Sequence, residues 1–507
     1  MSIFGFTRAS LIVTALVGGL IASIVRRLLL RDKLAKFPGP WLTNFSHIPH
    51  SRAMLSGDCH EWYAQVTREF GPVARIAPGM LITSSPKVWA HVNNHPGYKR
   101  SDWYYHAARV EYRRDNVFTQ TDNEKHTMRR KQMAPGYSGR ENQELESSID
   151  SRLGELLSLI KAKYISNTDH IVPMDLAKKI QYFTLDVISC VGLGQTFGML
   201  QEDADVHGYM SSIENGLLIA NTTLAMGVSW MAQAPVIGQY IAPGPQKQDA
   251  FGGMMATCFR FVDERMAKET DKRSDMLASF ARHGLSGDEL RSEALEQIIA
   301  GSDTTAGAIR GVILQVITNP RVYAKLQVEI DDAVREGRAP DKGEGIISAA
   351  EAKQLPYLQA VIREGLRVRP PVANIFPRDV PAGGDTIEVD GKSIFLPEGV
   401  CIGYSAYGMH MAEETYGEDA ASYRPERWFD PDQKKLAEMV QTNELIFGHG
   451  KWACLGKPVA QLELSKSIFE LFRHFNLAPV NASRPWKAVN QLGLFVISDM
   501  WVQVMER

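Results

Sequence analysis

Cysteine is scarce in this sequence and never paired. Cys59, Cys190, Cys258, Cys401 and Cys454 are five in 507 residues, an odd number with no Cys-x-x-Cys spacing. A closed zinc or iron–sulfur site is therefore not expected. No disulfide framework is suggested either, which fits a reducing compartment. One cysteine with a special role fits better than five acting together. Charge of one sign is also lacking: the formal net charge is −2. With no long Lys/Arg stripe and no zinc-finger spacing, nucleic acid is not an expected partner. Hydrophobic residues make up 44%, which excludes a disordered chain. The length is large for one core, although α-rich enzymes reach it as a single catalytic unit.

Residues 11–25 read LIVTALVGGLIASIV, without a charge. Ala9 and Leu28, Leu29 and Leu30 extend the run if Arg26 and Arg27 snorkel, which brings it near the short end of a spanning helix. Arg26, Arg27, Arg31, Lys33 and Lys36 follow it and only Arg8 precedes it. The positive-inside rule then puts the bulk of the chain in the cytoplasm. A cleaved signal peptide is the alternative, but no clear small-x-small site follows. Phe37-Pro38-Gly39-Pro40 makes a stiff non-helical hinge.

Short strands are predicted at 73–76 and 80–84, then a polar, aromatic loop at 98–121 with Trp103, Tyr104, Tyr105, Tyr112 and Phe118. A helix over 124–133 stops at Ala134-Pro135-Gly136. Periodicity predicts helices over 143–160, 174–191 and 250–280, with an irregular stretch at 198–245 broken by Pro235, Pro243 and Pro245. Ser286 and Glu289 form a predicted capping box for a helix of roughly 30 residues, about 45 Å long. Its middle, Ile298-Ile299-Ala300-Gly301-Ser302-Asp303-Thr304-Thr305-Ala306-Gly307, is a poor helix former. Apolar neighbours bury Asp303 and Thr304, which is costly unless they are hydrogen-bonded or used. A helix over 355–366 carries Glu364 with Arg367 three places on, hence on one face. Hairpins are predicted at 387–396 and 492–504, with a strand at 400–404.

Near the C-terminus runs Phe447-Gly448-His449-Gly450-Lys451-Trp452-Ala453-Cys454-Leu455-Gly456. A helix face of Ala460, Leu464, Ile468, Leu471 and Phe472 follows it. Cys454 then sits at or just before a helix N-terminus, where free N–H groups favour a thiolate. Such a thiolate can serve as a haem ligand; an inert buried cysteine is the plainer reading.

Taken in order, these stretches resemble a cytochrome P450, over nearly the whole chain. The haem-loop pattern FxxGxRxCxG is matched by Phe447, Gly450, Cys454 and Gly456. Trp452 stands where the family normally has a basic residue, and Lys451 beside it is seen in the microsomal fungal branch. Ala300–Thr305 matches AGxDTT, Glu364 and Arg367 match ExxR, and Pro425-Glu426-Arg427 matches the PER stretch. His126 and Arg130 match WxxxR with His for Trp.

The resemblance implies a mainly α fold with small β-sheets, the cytochrome P450 fold, preceded by a transmembrane helix. The expected division is an anchor and basic flank at 1–36 and a catalytic haem domain at 37–507. Haem b would be held by Cys454, with Phe447, Gly448, Gly450, Lys451, Trp452, Gly456, Ala460, Ala300 and Gly301 around it. His126, Arg130 and Arg378 would contact its propionates. Asp303 and Thr304 would feed protons to iron-bound dioxygen, while Glu364, Arg367 and Arg427 hold the fold. The implied pocket wall is Trp103, Tyr104, Tyr105, Ile298, Val372, Ala373, Asn374, Ile375 and Leu492, which suits a lipophilic molecule. The expected reaction is RH + O₂ + 2 e⁻ + 2 H⁺ → ROH + H₂O.

No flavin- or NADPH-binding domain is seen, so an external donor is expected: NADPH–cytochrome P450 reductase, with cytochrome b5 as a second one. It would dock near Lys451, Lys457, Arg129 and Lys131, or these are plain solvated cations. The expected location is the endoplasmic reticulum membrane, with the catalytic domain cytoplasmic. A haem-thiolate isomerase or dehydratase is the alternative enzyme, and a non-catalytic haem-binding protein the alternative class.

Overall fold

A helix of 31 residues, Gly287–Ile317, runs through the middle of the molecule, and most of its C-terminal half is buried. The computed structural model describes residues 33–247, 251–267 and 273–507, together with Gly18. The helices nearest the site are α1 (Asn123–Tyr137), α2 (Leu176–Leu193), α3 (Tyr209–Ala225), α4 (Gly287–Ile317), α5 (Pro356–Val368) and α6 (Lys457–His474). Helices α2, α5 and α6 all pack on α4. Gly301 makes the α2 contact possible: a Cβ there would lie 2.7 Å from Ile188. This glycine thus serves helix–helix packing.

The largest sheet has the order Val73–Ala77, Met80–Thr83, Cys401–Tyr404, Arg378–Asp379, Lys99–Arg100. Its one parallel pairing joins Met80–Thr83 to Cys401–Tyr404. The hinge at 37–40 is tied to this sheet, because the Arg75 guanidinium donates to the carbonyls of Leu34 (2.8 Å) and Phe37 (2.7 Å). Apart from Gly18, the predicted anchor at 11–25 lies outside the described residues. Among the described residues no helix is long and apolar enough to cross a membrane.

Several predicted elements come out differently. Helix α1 runs on to Tyr137 with Pro135 inside it; the proline forfeits its own bond to the Lys131 carbonyl, and only two helical residues follow it. The span 250–280 contains two helices, Phe251–Met266 and Met276–Arg282, the second capped by Asp275 accepting from the Ala278 N–H at 2.9 Å. The supposedly irregular 198–245 holds α3, 17 residues long. Ser286 is the N-cap of α4, but its side chain makes no capping bond; Glu289 turns instead to Arg129, 2.8 Å away. The last hairpin pairs Lys487–Gln491 with Leu494–Ser498. Trp501–Glu506 joins a different sheet, between Pro173–Asp175 and Phe475–Pro479. Residues 372–376 form no strand: Val372 makes a single bridge to Leu494, and Phe376 takes a φ of +42°.

Candidate active site

The cysteine loop closes on itself before α6 begins. The Cys454 N–H donates to the Phe447 carbonyl at 2.7 Å, and Gly448, at φ +73°, turns the chain where a Cβ would meet the Trp452 carbonyl at 2.8 Å. Of the five cysteines, Cys454 alone is exposed. Protein atoms nevertheless surround it closely, and that desolvation raises its thiol pKa. The N–H groups of Gly456 and Lys457 and the Arg130 guanidinium oppose this rise.

Arg130 belongs to a group of cations that converge. Burial first, then the charges of Arg100, Arg130, Arg378 and Lys451, push His126 down to about 3. The imidazole is thus neutral, and both its ring nitrogens are buried without a partner. Arg100 and Arg378 stand directly opposite in an antiparallel strand pair, where like charges repel. Both are buried, and burial lowers Arg100 to about 10. Their contacts are uncharged: Arg100 donates to the Val117 carbonyl at 2.5 Å, Arg378 to Phe376 O at 2.7 Å and to the Tyr104 hydroxyl, and Lys451 to Tyr98 O at 3.2 Å. Among the described residues none of these four cations has a carboxylate within ion-pair distance. Cations gathered in this way are costly unless an anion arrives. Arg100 was missed in the sequence because no motif marks it; only its cross-strand position reveals it.

On the other side lies the middle of α4. Ala300 is exposed and Thr304 half-buried, one turn apart on the same face, with Thr304 Oγ1 donating to Ala300 O at 2.8 Å. Glu296 is one turn earlier. Asp303 points elsewhere, toward α2, accepting from Gln181 at 3.3 Å and Ser302 at 3.1 Å. Burial raises its pKa to about 6. Tyr137 links the two sides, since Cys454, Glu293 and Glu296 all bear on its hydroxyl.

A family model for cytochrome P450 matches residues 37–500. The chain is a cytochrome P450. It is 38% identical to the cytochrome P450 monooxygenase ABA1 of Pyricularia oryzae, over 94% of this chain and 93% of that one. It is 35% identical to aba1 of Botryotinia fuckeliana (93% and 92%) and 32% to abl1 of Leptosphaeria maculans (91% and 81%), both cytochrome P450 monooxygenases. P450s bind haem b through a cysteine thiolate, and the residues present fit that group. An exposed cysteine lies just before a helix, and a neighbouring cation cluster, with no carboxylate at ion-pair distance among the described residues, suits two propionates.

Trp452, the departure from the family pattern, lies between two of those cations. The Arg378 guanidinium is 4.2 Å and the Lys451 ammonium 4.3 Å from the indole ring. The missing charge at position 452 is thus supplied from either side across an aromatic face. Lys457 is half-buried and paired with Glu444. Arg129 is not a solvated cation at all: it pairs with Glu289 at 2.8 Å and Glu293 at 2.5 Å. Lys131 remains exposed.

The predicted pocket wall divides. Trp103, Tyr105, Val372 and Leu492 are half-buried. Tyr104, Ile298 and Ile375 are packed in the interior, at 1% exposure or less, and Ala373 is buried too. Asn374 turns away: its amide donates to Leu492 O, tightening the turn of the last hairpin. Two further asparagines meet there. Asn221 of α3 accepts from the Leu492 N–H at 3.2 Å and donates to Met54 O at 3.1 Å. Asn490 accepts from the Gly493 N–H at 2.9 Å and from the Cys59 thiol at 3.3 Å. A groove of about 2320 Å³ beside the helix Gln433–Glu444 contains none of the predicted site residues.

Glu364 is the centre of a buried network. It accepts from Arg367 at 2.8 and 2.9 Å, Arg427 at 2.7 Å, Trp428 Nε1 at 3.0 Å and the Arg424 N–H at 3.0 Å. The two arginines donate onward to the carbonyls of His410, Ala420, Tyr416 and Asp419.

Two more acids pin the 98–121 loop to α4. Glu293 accepts from the Val117 N–H and Glu296 from the Asn116 amide, both at 3.0 Å. Burial raises Glu293 to about 7; burial and then the Glu293 charge raise Glu296 to about 8, against 4.5 for a free glutamate. A carboxyl raised in the folded state contributes stability at low pH that is lost as pH rises through the folded value. Glu296→Gln cannot ionise but can keep the Asn116 contact. It is expected to flatten the fall in Tm between about pH 4.5 and 8. Identical Tm–pH profiles for the two proteins would show that Glu296 is already ionised when folded.

Proposed function

We propose that this P450 is a microsomal monooxygenase that hydroxylates a lipophilic small molecule, in single or successive oxidations, within fungal secondary metabolism. The observation that carries the chemistry is the exposed Cys454 near Arg100, Arg130, Arg378 and Lys451, four cations that are ion-paired to no carboxylate among the described residues. In this reading Cys454 ligates haem b and the cluster neutralises its propionates, with His126 as a neutral hydrogen-bonding neighbour. Haem held there would supply the dioxygen chemistry that puts one oxygen atom into a C–H bond. Thr304 holds water and orients a proton at the dioxygen site. Asp303, whose pKa near 6 lets it both gain and lose a proton close to neutrality, resupplies that proton from the α2 side. The intact Asp303–Thr304 pair disfavours an isomerase or dehydratase, which needs no proton delivery to oxygen.

Trp103, Tyr105, Val372 and Leu492 favour an apolar, polycyclic substrate. The similarity to fungal P450 monooxygenases supports the metabolic setting. Electrons come from NADPH–cytochrome P450 reductase, with cytochrome b5 as a possible second donor. In this reading the apolar run at 11–25 serves as a membrane anchor, and both partners meet the protein on the cytoplasmic face of the endoplasmic reticulum.

The test is turnover in microsomes that contain this protein and the reductase. Neutral polycyclic terpenoids and polyketides would be screened for NADPH-dependent products bearing one added oxygen. With any substrate so found, Asp303→Asn is expected to lower product formation about 10²-fold while NADPH is diverted to hydrogen peroxide. Conversion that proceeds without O₂ or NADPH would overturn the reading in favour of isomerase or dehydratase chemistry.

A further inference from the structure

Away from Cys454, α2, α3, α4 and the strand Leu494–Ser498 enclose a second, much smaller cavity of about 20 Å³. That volume accommodates one water. Its polar lining is Gln181, Glu214, Asp303 and Arg310. Arg310 is fixed inside by donating to Ala177 O at 3.0 Å and to Gln181 Oε1 at 2.9 Å. Gln181 in turn donates to Asp303. The Tyr209 hydroxyl, close enough for Asp303 to affect it, is buried without a partner.

Glu214 differs from the other three in being exposed. It therefore touches solvent on one side and the cavity on the other. Partial burial raises its pKa; Arg310 and Lys178 lower it, and Asp205 raises it. Glu214 and Asp303 also bear on one another, since the Glu214 charge is among the causes that raise Asp303.

We propose that Glu214 is the group through which solvent protons enter the site, by way of a water in this cavity and Asp303. The step is a simple exchange. The Glu214 carboxylic acid gives its proton to the cavity water, and that water gives one to the Asp303 carboxylate. This leaves Glu214 ionised and Asp303 neutral, and bulk solvent reprotonates Glu214. Arg310 keeps the pair from holding both protons, and Gln181 keeps Asp303 turned toward the cavity. Glu214 touches no reacting atom and acts only through Asp303. The proposal rests on the monooxygenase reading above.

The experiment uses the full-length, haem-loaded protein with the reductase, NADPH and O₂, and no organic substrate. The rate of NADPH-driven O₂ reduction is compared in H₂O and D₂O. Glu214→Gln is expected to slow it about tenfold and to enlarge the solvent isotope effect, and Glu214→Asp to restore most of the rate. The double variant Glu214→Gln/Asp303→Asn should be no slower than Asp303→Asn alone. An independent readout is the infrared band of the protonated Asp303 carboxyl, identified by its loss in Asp303→Asn. Removing a like charge should move its titration to lower pH in Glu214→Gln. An unchanged rate and isotope effect in Glu214→Gln, or fully additive losses in the double variant, would overturn the proposal. If the wild type itself shows no thiolate-type CO spectrum, the monooxygenase reading fails instead, and the infrared titration still decides whether the two carboxyls are coupled.

Discussion

Glu364→Ala is expected to yield no folded protein. An isolated Glu–Arg pair three places apart on a helix surface is worth only a few tenths of a kcal/mol, but this pair is not on a surface. Glu364 and Arg367 are 0% exposed and Arg427 is 2% exposed. Breaking a buried pair by removing one partner costs about 3–5 kcal/mol, and here one carboxylate serves two guanidinium groups as well as the Trp428 indole. The combined loss is comparable with the roughly 5–15 kcal/mol that stabilises a typical domain. Glu364→Gln keeps an acceptor for one arginine and is expected to fold with a much lowered Tm. Soluble yield, circular dichroism melts and haem content test this. A Glu364→Ala protein that melts within a few degrees of the wild type would show that the arginines find other partners.

Cys454→Ser is expected to fold and yet lose the chemistry. Its backbone N–H still closes the loop on Phe447 O, and the exposed side chain fills no core position. The ferrous-CO difference spectrum should lose the long-wavelength band of thiolate ligation completely, and oxygenation should fall below detection. Thiolate donation to the iron is what favours O–O cleavage, and a hydroxyl does not replace it. A variant that kept the thiolate band in folded protein would sink every role assigned around Cys454.

Both variants sit in motifs that the sequence displays openly. Cys454 and Glu364 are legible because a glycine-flanked cysteine before a helix and a Glu/Arg pair at one-turn spacing are local patterns. The length of α4 was legible from its ends: a start signal at Ser286 and no stop before Asn319-Pro320. What escaped was set by distant partners. The Arg100–Arg378 pairing joins strands 278 positions apart in number and is visible only as a ladder. Helix α3 hid because Pro235, Pro243 and Pro245 set the reading of the whole 198–245 stretch, although all three lie beyond its end at Ala225. Glu289 is a good capping residue by pattern, and the tertiary pull of Arg129 overrode it. Asn374 had no readable direction until the turn at Leu492 gave its amide an acceptor.

The meeting of Asn221, Asn374 and Asn490 at that turn has a consequence for how such enzymes diversify. Helix α3, the segment around Met54 and Cys59, the stretch at 372–376 and the final hairpin are held there by a few amide hydrogen bonds. A change of loop length or sequence in one of the four strands the amides of the others. New specificities should therefore be inherited in blocks, and a chimera that exchanges only the last hairpin with a relative should be epistatically broken where one exchanging all four segments is not.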